Sequence, residues 1–474
     1  MDDYLRHLYP LIPIIHRPSF RRDLMNDRDL NDKVFLGLLL AMCAAVVGLM
    51  PSRFDAYRVW SPGPPLRFSC RGEMINYCHD RLMRLRDPQY FDKINFHKFA
   101  ISYLMCISFF QLGDLNRARM MEVEAMQLGR LLHVHKISEY AELNCIEAQL
   151  RKKGFWLLFY TYVHSELQNL RREKLSFLDP ISLSSMNLEE LLPLEVDDEM
   201  IYEDSVLMPD QPGTTTSLTS AFIIHSRVFW AALLPTTKTR AEGDQQQQEM
   251  PCVCRRWRDL SANIAHLRGR LEELKYMLDS LPPQLLPWAS GPTVSTVSRD
   301  DPQRIIDEQF AAMRANLHVT HLWLQSIIID QLDAAVQDKS ADASFIKKEY
   351  WAQREEISRQ LLHLLHAIPE PDIEPNGLHL TFKVRDIAVG LLNCPYDEGH
   401  AAAKRAAEYI QQLTLILSRL DRSESPNMVN VQSWVDTDRI GQKGLTVGTS
   451  AVVAERAGYS GRGLGPVTTP VLEW

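Results

Sequence analysis

Apolar residues recur at spacings of three and four along nearly the whole chain, whereas the alternating, β-branched runs typical of strands are nearly absent. This spacing places apolar side chains on one face of a helix, which must then be buried against a neighbour. Helices are predicted over residues 34–50, 68–87, 147–170, 218–234, 255–280, 344–367 and 398–420. The predicted fold class is therefore all-α, a multi-helix bundle of packed helical hairpins.

Some helices carry their own start and stop signals. Asn95 can cap a helix that ends at Gly113, and Asp114 can cap the helix that follows. Two helices joined by so short a connection form an antiparallel hairpin. Asp301 followed by Pro302 supplies an N-cap and a first-turn proline for another long helix.

The stretch from Val34 to Met50 contains 17 residues without a charge. A transmembrane helix needs about 17–25 apolar residues, so this segment is at the lower limit of that range. The helices elsewhere are amphipathic, as they are in a bundle that faces water. We therefore expect Val34–Met50 to be a buried helix, and we expect no association with a membrane.

The composition argues against two classes of protein. The 474 residues include 60 acidic and 52 basic side chains, whereas a chain that binds nucleic acid normally carries a basic surplus. The eight cysteines are too few for a disulfide framework in a chain of this length, so a reducing compartment is expected. The sequence thus predicts a chain that does not hold DNA or RNA by itself.

The sequence offers no recognisable catalytic or metal-binding apparatus. It contains no Gly-x-Ser-x-Gly elbow, no Walker loop and no dinucleotide fingerprint. Cys252 and Cys254 have no second cysteine pair nearby, although a structural zinc site needs four ligands. Asp197 and Asp198 lack the spacing that would hold magnesium against a diphosphate, and their position after Pro193 suggests an acidic, solvated loop. We predict no catalytic residue, no metal ligand and no cofactor in this chain.

Four short segments, taken in order, carry a more specific signal. They are residues 4–20 (YLRHLYPLIPIIHRPSF), 127–133 (QLGRLLH), 151–160 (RKKGFWLLFY) and 192–199 (LPLEVDDE). Together they resemble the fungal-specific transcription factor domain, the middle homology region of binuclear zinc-cluster transcription regulators. The positions that carry the resemblance are Pro10, Pro13, His16, Arg17, Pro18, Phe20, Gly129, Trp156, Pro193 and Asp198.

These motif positions are interpreted as structural rather than as ligand contacts. The three prolines of the first segment fix extended turns, and Trp156 supplies area for the core. His16 and Arg17 can form hydrogen bonds with neighbouring loops. The basic residues 151–153 are expected to form a solvated face at the start of a helix.

The resemblance also suggests how the chain is divided. Residues 1–422 are expected to form the regulatory domain, with the motifs strongest in residues 1–205, while the remainder to residue 422 fits by length and helicity only. Residues 423–474 are rich in glycine and are predicted to form a disordered tail. The family binds DNA through a six-cysteine zinc cluster that is normally N-terminal, and no such run of cysteines occurs here. Zinc is therefore expected only in that absent module.

The function implied by the resemblance is that of a nuclear, effector-responsive regulatory domain that controls transcription by RNA polymerase II. DNA would be reached through a missing or partner module, and protein partners, a homodimer or a small-molecule effector would act on the domain. Two alternatives are kept open. The chain could be a stand-alone interaction protein that antagonises related regulators, or, least favoured, an all-α enzyme.

Overall fold

The computed structural model describes residues 1–59, 68–167, 176–209, 216–233, 260–289, 301–336 and 343–420. The predicted tail and the pair Cys252 and Cys254 lie outside these ranges. Within them the regular elements are helices, and β pairing is limited to one isolated antiparallel bridge between Ile201 and Val206. The prediction of an all-α fold is confirmed.

The helices follow one another along the chain with short connections. The first eight are α1 Arg17–Met25, α2 Arg28–Asn31, α3 Lys33–Leu49, α4 Phe54–Val59, α5 Arg71–Leu85, α6 Phe96–Gln111, α7 Leu115–Leu131 and α8 Cys145–Leu167. The others are α9 Pro180–Ser185, α10 Leu218–Leu233, α11 Leu260–Tyr276, α12 Pro302–Val336, α13 Ala343–Ala367, α14 Glu370–Ile373, α15 Gly377–Gly390 and α16 Ala401–Leu420. A π-helical turn covers Tyr4–Leu8, and 3₁₀ turns cover Pro51–Arg53, Ile137–Tyr140, Asp198–Met200, Pro283–Leu285, Glu374–Asn376 and Leu391–Asn393.

The first group of packed helices contains α3, α5, α6 and α7. The α6–α7 hairpin has the caps that its sequence predicts, because Asn95 Oδ1 accepts from the Lys98 amide (3.0 Å) and Asp114 Oδ1 accepts from the Arg117 amide (3.1 Å). Gly113 between them has a φ of 75°, which glycine adopts without strain. The predicted hairpin is confirmed.

The uncharged segment forms α3, which lies against α5 and α6 with most of its side chains buried. This agrees with the prediction of a core helix. No single helix of the described residues is long and apolar enough to span a membrane. Only α3 taken together with residues 51–58, at a bend of 100°, reaches that length and composition.

The second group is arranged around α12, which has 35 residues and is therefore about 50 Å long. It contacts α10, α11, α13 and α15. The predicted cap is present, because Asp301 Oδ1 accepts from the Gln303 amide (2.9 Å) and the Arg304 amide (3.2 Å). Helix α8 contacts α6 and α7 on one side and α10 on the other, so it connects the two groups.

The two groups also meet where α15 begins. Gln111, at the end of α6, accepts a hydrogen bond through Oε1 from the Leu378 amide (2.9 Å). The preceding Gly377 has a φ of +59°, and a Cβ there would lie 2.5 Å from that Oε1 and 2.6 Å from Leu49 Cδ2. Only glycine satisfies both the backbone conformation and the close approach.

We predict that Gly377→Ala lowers the free energy of unfolding by about 2–4 kcal/mol, because it adds left-handed strain and overpacking at once. The matched control is Gly269→Ala in α11, where an added Cβ meets no atom within 4 Å. That change should stabilise the helix by roughly 0.5–1 kcal/mol. Urea denaturation of the full chain measures both, and equal stabilities for the two variants would contradict the prediction.

Candidate functional site

The carboxylate of Asp198 is the point at which three separate parts of the chain meet. Its side chain is 1% exposed. Oδ2 accepts hydrogen bonds from Tyr9 Oη (2.6 Å) and from the Arg17 amide (2.9 Å), and Oδ1 accepts from Lys153 Nζ (2.7 Å). The N-terminal segment, α8 and the 3₁₀ turn Asp198–Met200 are thereby joined. We call these residues, together with His16 and Glu199, the Asp198 cluster.

His16 holds the start of α1 against this turn. Its Nε2 donates to the Asp198 carbonyl (2.8 Å), which leaves Nδ1 to accept from the Ser19 hydroxyl (2.8 Å). His16 is also the N-cap of α1, and Pro18 lies in the first turn, where its missing amide proton costs nothing. The His-Arg-Pro-Ser sequence thus both starts the helix and fastens it to the 3₁₀ turn.

Arg17 places its guanidinium beside the acidic residues of the turn. It donates to Glu199 Oε2 (2.5 Å), lies 3.6 Å from Asp197 Oδ1, and sits 4.8 Å from the centroid of the Tyr9 ring. Arg17 and Lys153 therefore supply two positive charges to a site with three carboxylates. The buried charges are paired and hydrogen-bonded, which is the condition under which burial of ions is tolerated.

The electrostatics keep the Asp198 cluster ionised near neutral pH. Burial alone would raise the pKa of Asp198, but the charges of Lys153 and Arg17, with hydrogen bonds from Lys153 and Tyr9, lower this pKa to about 2. Burial and the Asp198 charge raise the pKa of Tyr9 well above its ordinary value. Tyr9 is thus a neutral donor and Asp198 a permanent acceptor.

The other motif positions support the surroundings of the cluster. Trp156 is fully buried and donates through Nε1 to the Leu191 carbonyl (3.0 Å), which fixes the segment that leads to Asp198. Phe20 packs against Phe35 of α3, with ring centroids 5.8 Å apart. The remaining prolines are Pro10, Pro13 and Pro193, all buried, and Pro18, which is half-buried.

Gly129 lies away from Asp198, in the contact between α7 and α8. A Cβ on Gly129 would approach Leu158 Cδ1 to 2.6 Å. The structure therefore brings His16, Arg17 and Asp198 together, and gives Gly129 a packing position elsewhere.

Two expectations from the sequence are wrong. Lys153 does not belong to a solvated face, since its side chain is 2% exposed, and Asp198 does not lie on a solvated loop. The spacing of α8 explains the first error, because Lys153 precedes the buried Trp156 by three residues and so shares its face. The second error arises because the partners of Asp198 are more than 40 residues distant in sequence.

The polar stripe of α8 is the signal that could have identified Lys153. We use this name for Gln149, Lys153, Trp156, Tyr160 and His164, which recur at spacings of three and four on one buried face. Gln149 Oε1 accepts from the Leu194 amide (2.8 Å), and the Tyr160 hydroxyl bonds the Ser226 hydroxyl (2.6 Å). Polar groups at core positions of a helix need partners, and here each of these side chains reaches a different segment.

The Asp198 cluster is saturated and has little free space. The cavity beside Tyr9 and Lys153 has a volume of about 10 Å³, which is too small for a substrate. Two open clefts flank it, one of about 260 Å³ beside His16 and one of about 450 Å³ beside Leu192–Glu195. Among the residues that the structure describes, no group of three or more His, Cys, Asp or Glu side chains could hold a metal ion. The arrangement is suited to holding segments together.

A family model for the fungal specific transcription factor domain matches residues 1–274. This span covers more than half of the chain and includes all four sequence segments and the whole Asp198 cluster. The chain therefore belongs to this family, as the sequence resemblance predicted. No curated protein and no solved structure matches the chain.

We predict that breaking the buried ion pair is costly. Lys153→Met should lower the free energy of unfolding by about 3–5 kcal/mol, because it leaves the Asp198 carboxylate without its nearest cation. Lys153→Met combined with Asp198→Asn should cost less than the sum of the two single changes, since the partners are coupled. Arg227→Gln, which removes the half-exposed pair with Glu189, is the control and should cost at most about 1 kcal/mol. Additivity in the double variant, measured by urea denaturation, would contradict the coupling.

The lowered pKa of Asp198 predicts a defined loss of stability in acid. A carboxyl whose folded pKa lies below its ordinary value of 3.8 stabilises the fold above that value, and loses this contribution as the pH falls toward 2. The difference in unfolding free energy between the native chain and Asp198→Asn should therefore shrink between pH 5 and pH 2. Asp80→Asn, at an exposed position, should show a constant difference. A constant difference for Asp198→Asn as well would disprove the assignment.

Proposed function

We propose that this chain is the regulatory domain of a fungal zinc-cluster-type transcription factor that controls transcription by RNA polymerase II, and that it has no enzymatic activity of its own. The observation that supports the proposal most directly is the use to which the family's motif residues are put. They hold three segments together around one buried carboxylate, and they line no substrate-sized cavity. A device that fastens segments is what a domain needs in order to transmit a change of state.

The proposed mechanism is a population shift between two packings of the helices. In the structure described here, the N-terminal segment is fastened to α8 through Tyr9, Lys153 and Asp198. Buried, geometrically specific ionic contacts are either made or broken, with few intermediate states. An effector or a partner can shift this equilibrium only by the difference between its affinities for the two packings.

The two clefts beside the Asp198 cluster are the places where such a ligand would act. The smaller is lined by His16 and by Glu203, and the larger by Leu192–Glu195, so each shares a segment with the cluster. Binding in either cleft would change the energy of the contacts that Asp198 makes. The effector would be a small molecule, a protein partner or a second copy of the chain.

DNA would be reached through a six-cysteine zinc cluster that lies on another segment or on a partner, and zinc would belong to that module. We also propose that the chain acts in the nucleus, because transcription regulators of this family work there. The eight cysteines of the present sequence are scattered and form no such cluster.

The test is a reporter assay in fungal cells with the full chain joined to an unrelated DNA-binding module. We expect the fusion to change reporter output relative to that module alone, and Asp198→Asn to alter the change at equal protein abundance. Arg227→Gln is the control and should behave as the native chain.

Two results would contradict the proposal at different levels. Reporter output equal to that of the DNA-binding module alone, under every growth condition tried, would disprove the regulatory role. A folded Asp198→Asn variant with native output would disprove the role of the Asp198 cluster and leave the regulatory role standing.

A further inference from the structure

A second polar centre lies at the other end of the polar stripe of α8, where α8, α10, α12 and α15 meet. Its central residue is Lys383 of α15, which is 1% exposed. Lys383 Nζ donates to Thr320 Oγ1 (2.7 Å) and lies 3.3 Å from Asn316 Oδ1. The same nitrogen lies 5.3 Å from the centroid of the Phe229 ring and 5.6 Å from that of Trp323. This amine is therefore enclosed by neutral groups.

Three histidines surround the amine. The ring centroids of His164 and His379 are 4.5 Å apart, and His225 Nε2 lies 3.3 Å from the same Thr320 hydroxyl that Lys383 uses. His164 donates through Nδ1 to the Tyr160 carbonyl (2.7 Å), so its Nε2 carries the lone pair. That Nε2 is buried and has no hydrogen-bond partner. A proton added there would gain no acceptor in the folded chain.

The carboxylates of the helices packed around the centre are engaged elsewhere. On α15 itself, Asp386 accepts from Trp323 Nε1 (3.1 Å) and from Arg385 (2.6 Å). On α12, Asp330 and Asp333 both pair with Arg354 of α13. Helix α6 contributes the ring of Phe110, stacked on His379, and no charge. Among the described residues no carboxylate lies within hydrogen-bond distance of Lys383.

Burial and the close positive charges act in the same direction on these groups. Burial lowers the pKa of Lys383 from 10.5 to about 7. Burial first, and the charge of Lys383 second, lower the pKa values of His164 and His225 well below 6.5. Each group binds a proton more weakly in the closed junction than in an open one, where water solvates the charge.

The sign of the pH dependence follows from this difference. Between pH 10.5 and about 7 the open form carries a proton on Lys383 that the closed form lacks, so a fall in pH favours opening. Below pH 6.5, His164 and His225 extend the effect in the same direction. Opening is therefore favoured by acid throughout, and one extra proton corresponds to a factor of about ten in the opening equilibrium per pH unit.

We propose that Lys383, His164 and His225 form a proton-operated switch in which loss of protons closes the junction of α8, α10, α12 and α15, and proton uptake opens it. Helices α8 and α10 lie within the family match of residues 1–274, whereas α12 and α15 lie beyond it. Opening would separate the conserved-motif part of the domain from the helices that follow. This inference does not depend on the regulatory role proposed above.

The test is amide hydrogen exchange of the full chain between pH 9 and pH 7, with the known pH dependence of intrinsic exchange divided out. We expect the opening equilibrium of amides in α15 and α10 to rise about tenfold per pH unit as the pH falls. Amides of α7, remote from the centre, should show no such change. Lys383→Met should abolish the slope and increase protection at pH 7, while Lys404→Met, at an exposed position of α16, should keep the native slope.

The outcomes divide cleanly. A native chain whose α15 protection is independent of pH between 9 and 7, or a Lys383→Met variant that retains the native slope, overturns the proposal. An equal slope in α7 and α15 also overturns it, because that result is global destabilisation. Should Lys383→Met not fold, the exchange profile of the native chain together with His225→Gln, which should weaken the slope below pH 6.5, still decides.

Discussion

A carboxylate removed from water needs its positive partners nearby, and the arrangement around Asp198 follows from that need. The partners come from parts of the chain that are far apart in sequence, namely Tyr9, Arg17 and Lys153. None of them could move away alone without leaving a charge unpaired in the core. The entry of the chain into α1, the orientation of α8 and the path of the 3₁₀ turn are thus set together.

The sequence predicts local features of this fold well and distant contacts poorly. The caps at Asn95, Asp114 and Asp301 depend on residues three positions away, and all three are present. The burial of Lys153 and Asp198 depends on a pairing across 45 residues, and their polar side chains argue for exposure when each is considered alone. Motif resemblance selected Asp198 without indicating its role, and Lys153 could have been found only from its place on the polar stripe.

The two polar centres of the domain differ in a simple respect. The Asp198 cluster contains acids and bases that satisfy each other, so its charge state is constant near neutral pH. The Lys383 centre contains bases alone among the described residues, and its neighbouring acids, such as Asp386, are engaged by other partners. The first arrangement favours permanence and the second favours response, and the same domain therefore contains one contact that is fixed and one that depends on its surroundings.

Helix α8 carries one residue of each centre, Lys153 and His164, eleven positions apart. Eleven residues make three turns with about 20° to spare and a rise of roughly 16 Å, so both side chains leave the helix on the same side. Inserting or deleting a single residue between them would rotate one relative to the other by about 100° and would remove one from its centre. The interval works as a fixed ruler, and over evolutionary time this stretch of α8 can exchange its side chains but cannot change its length.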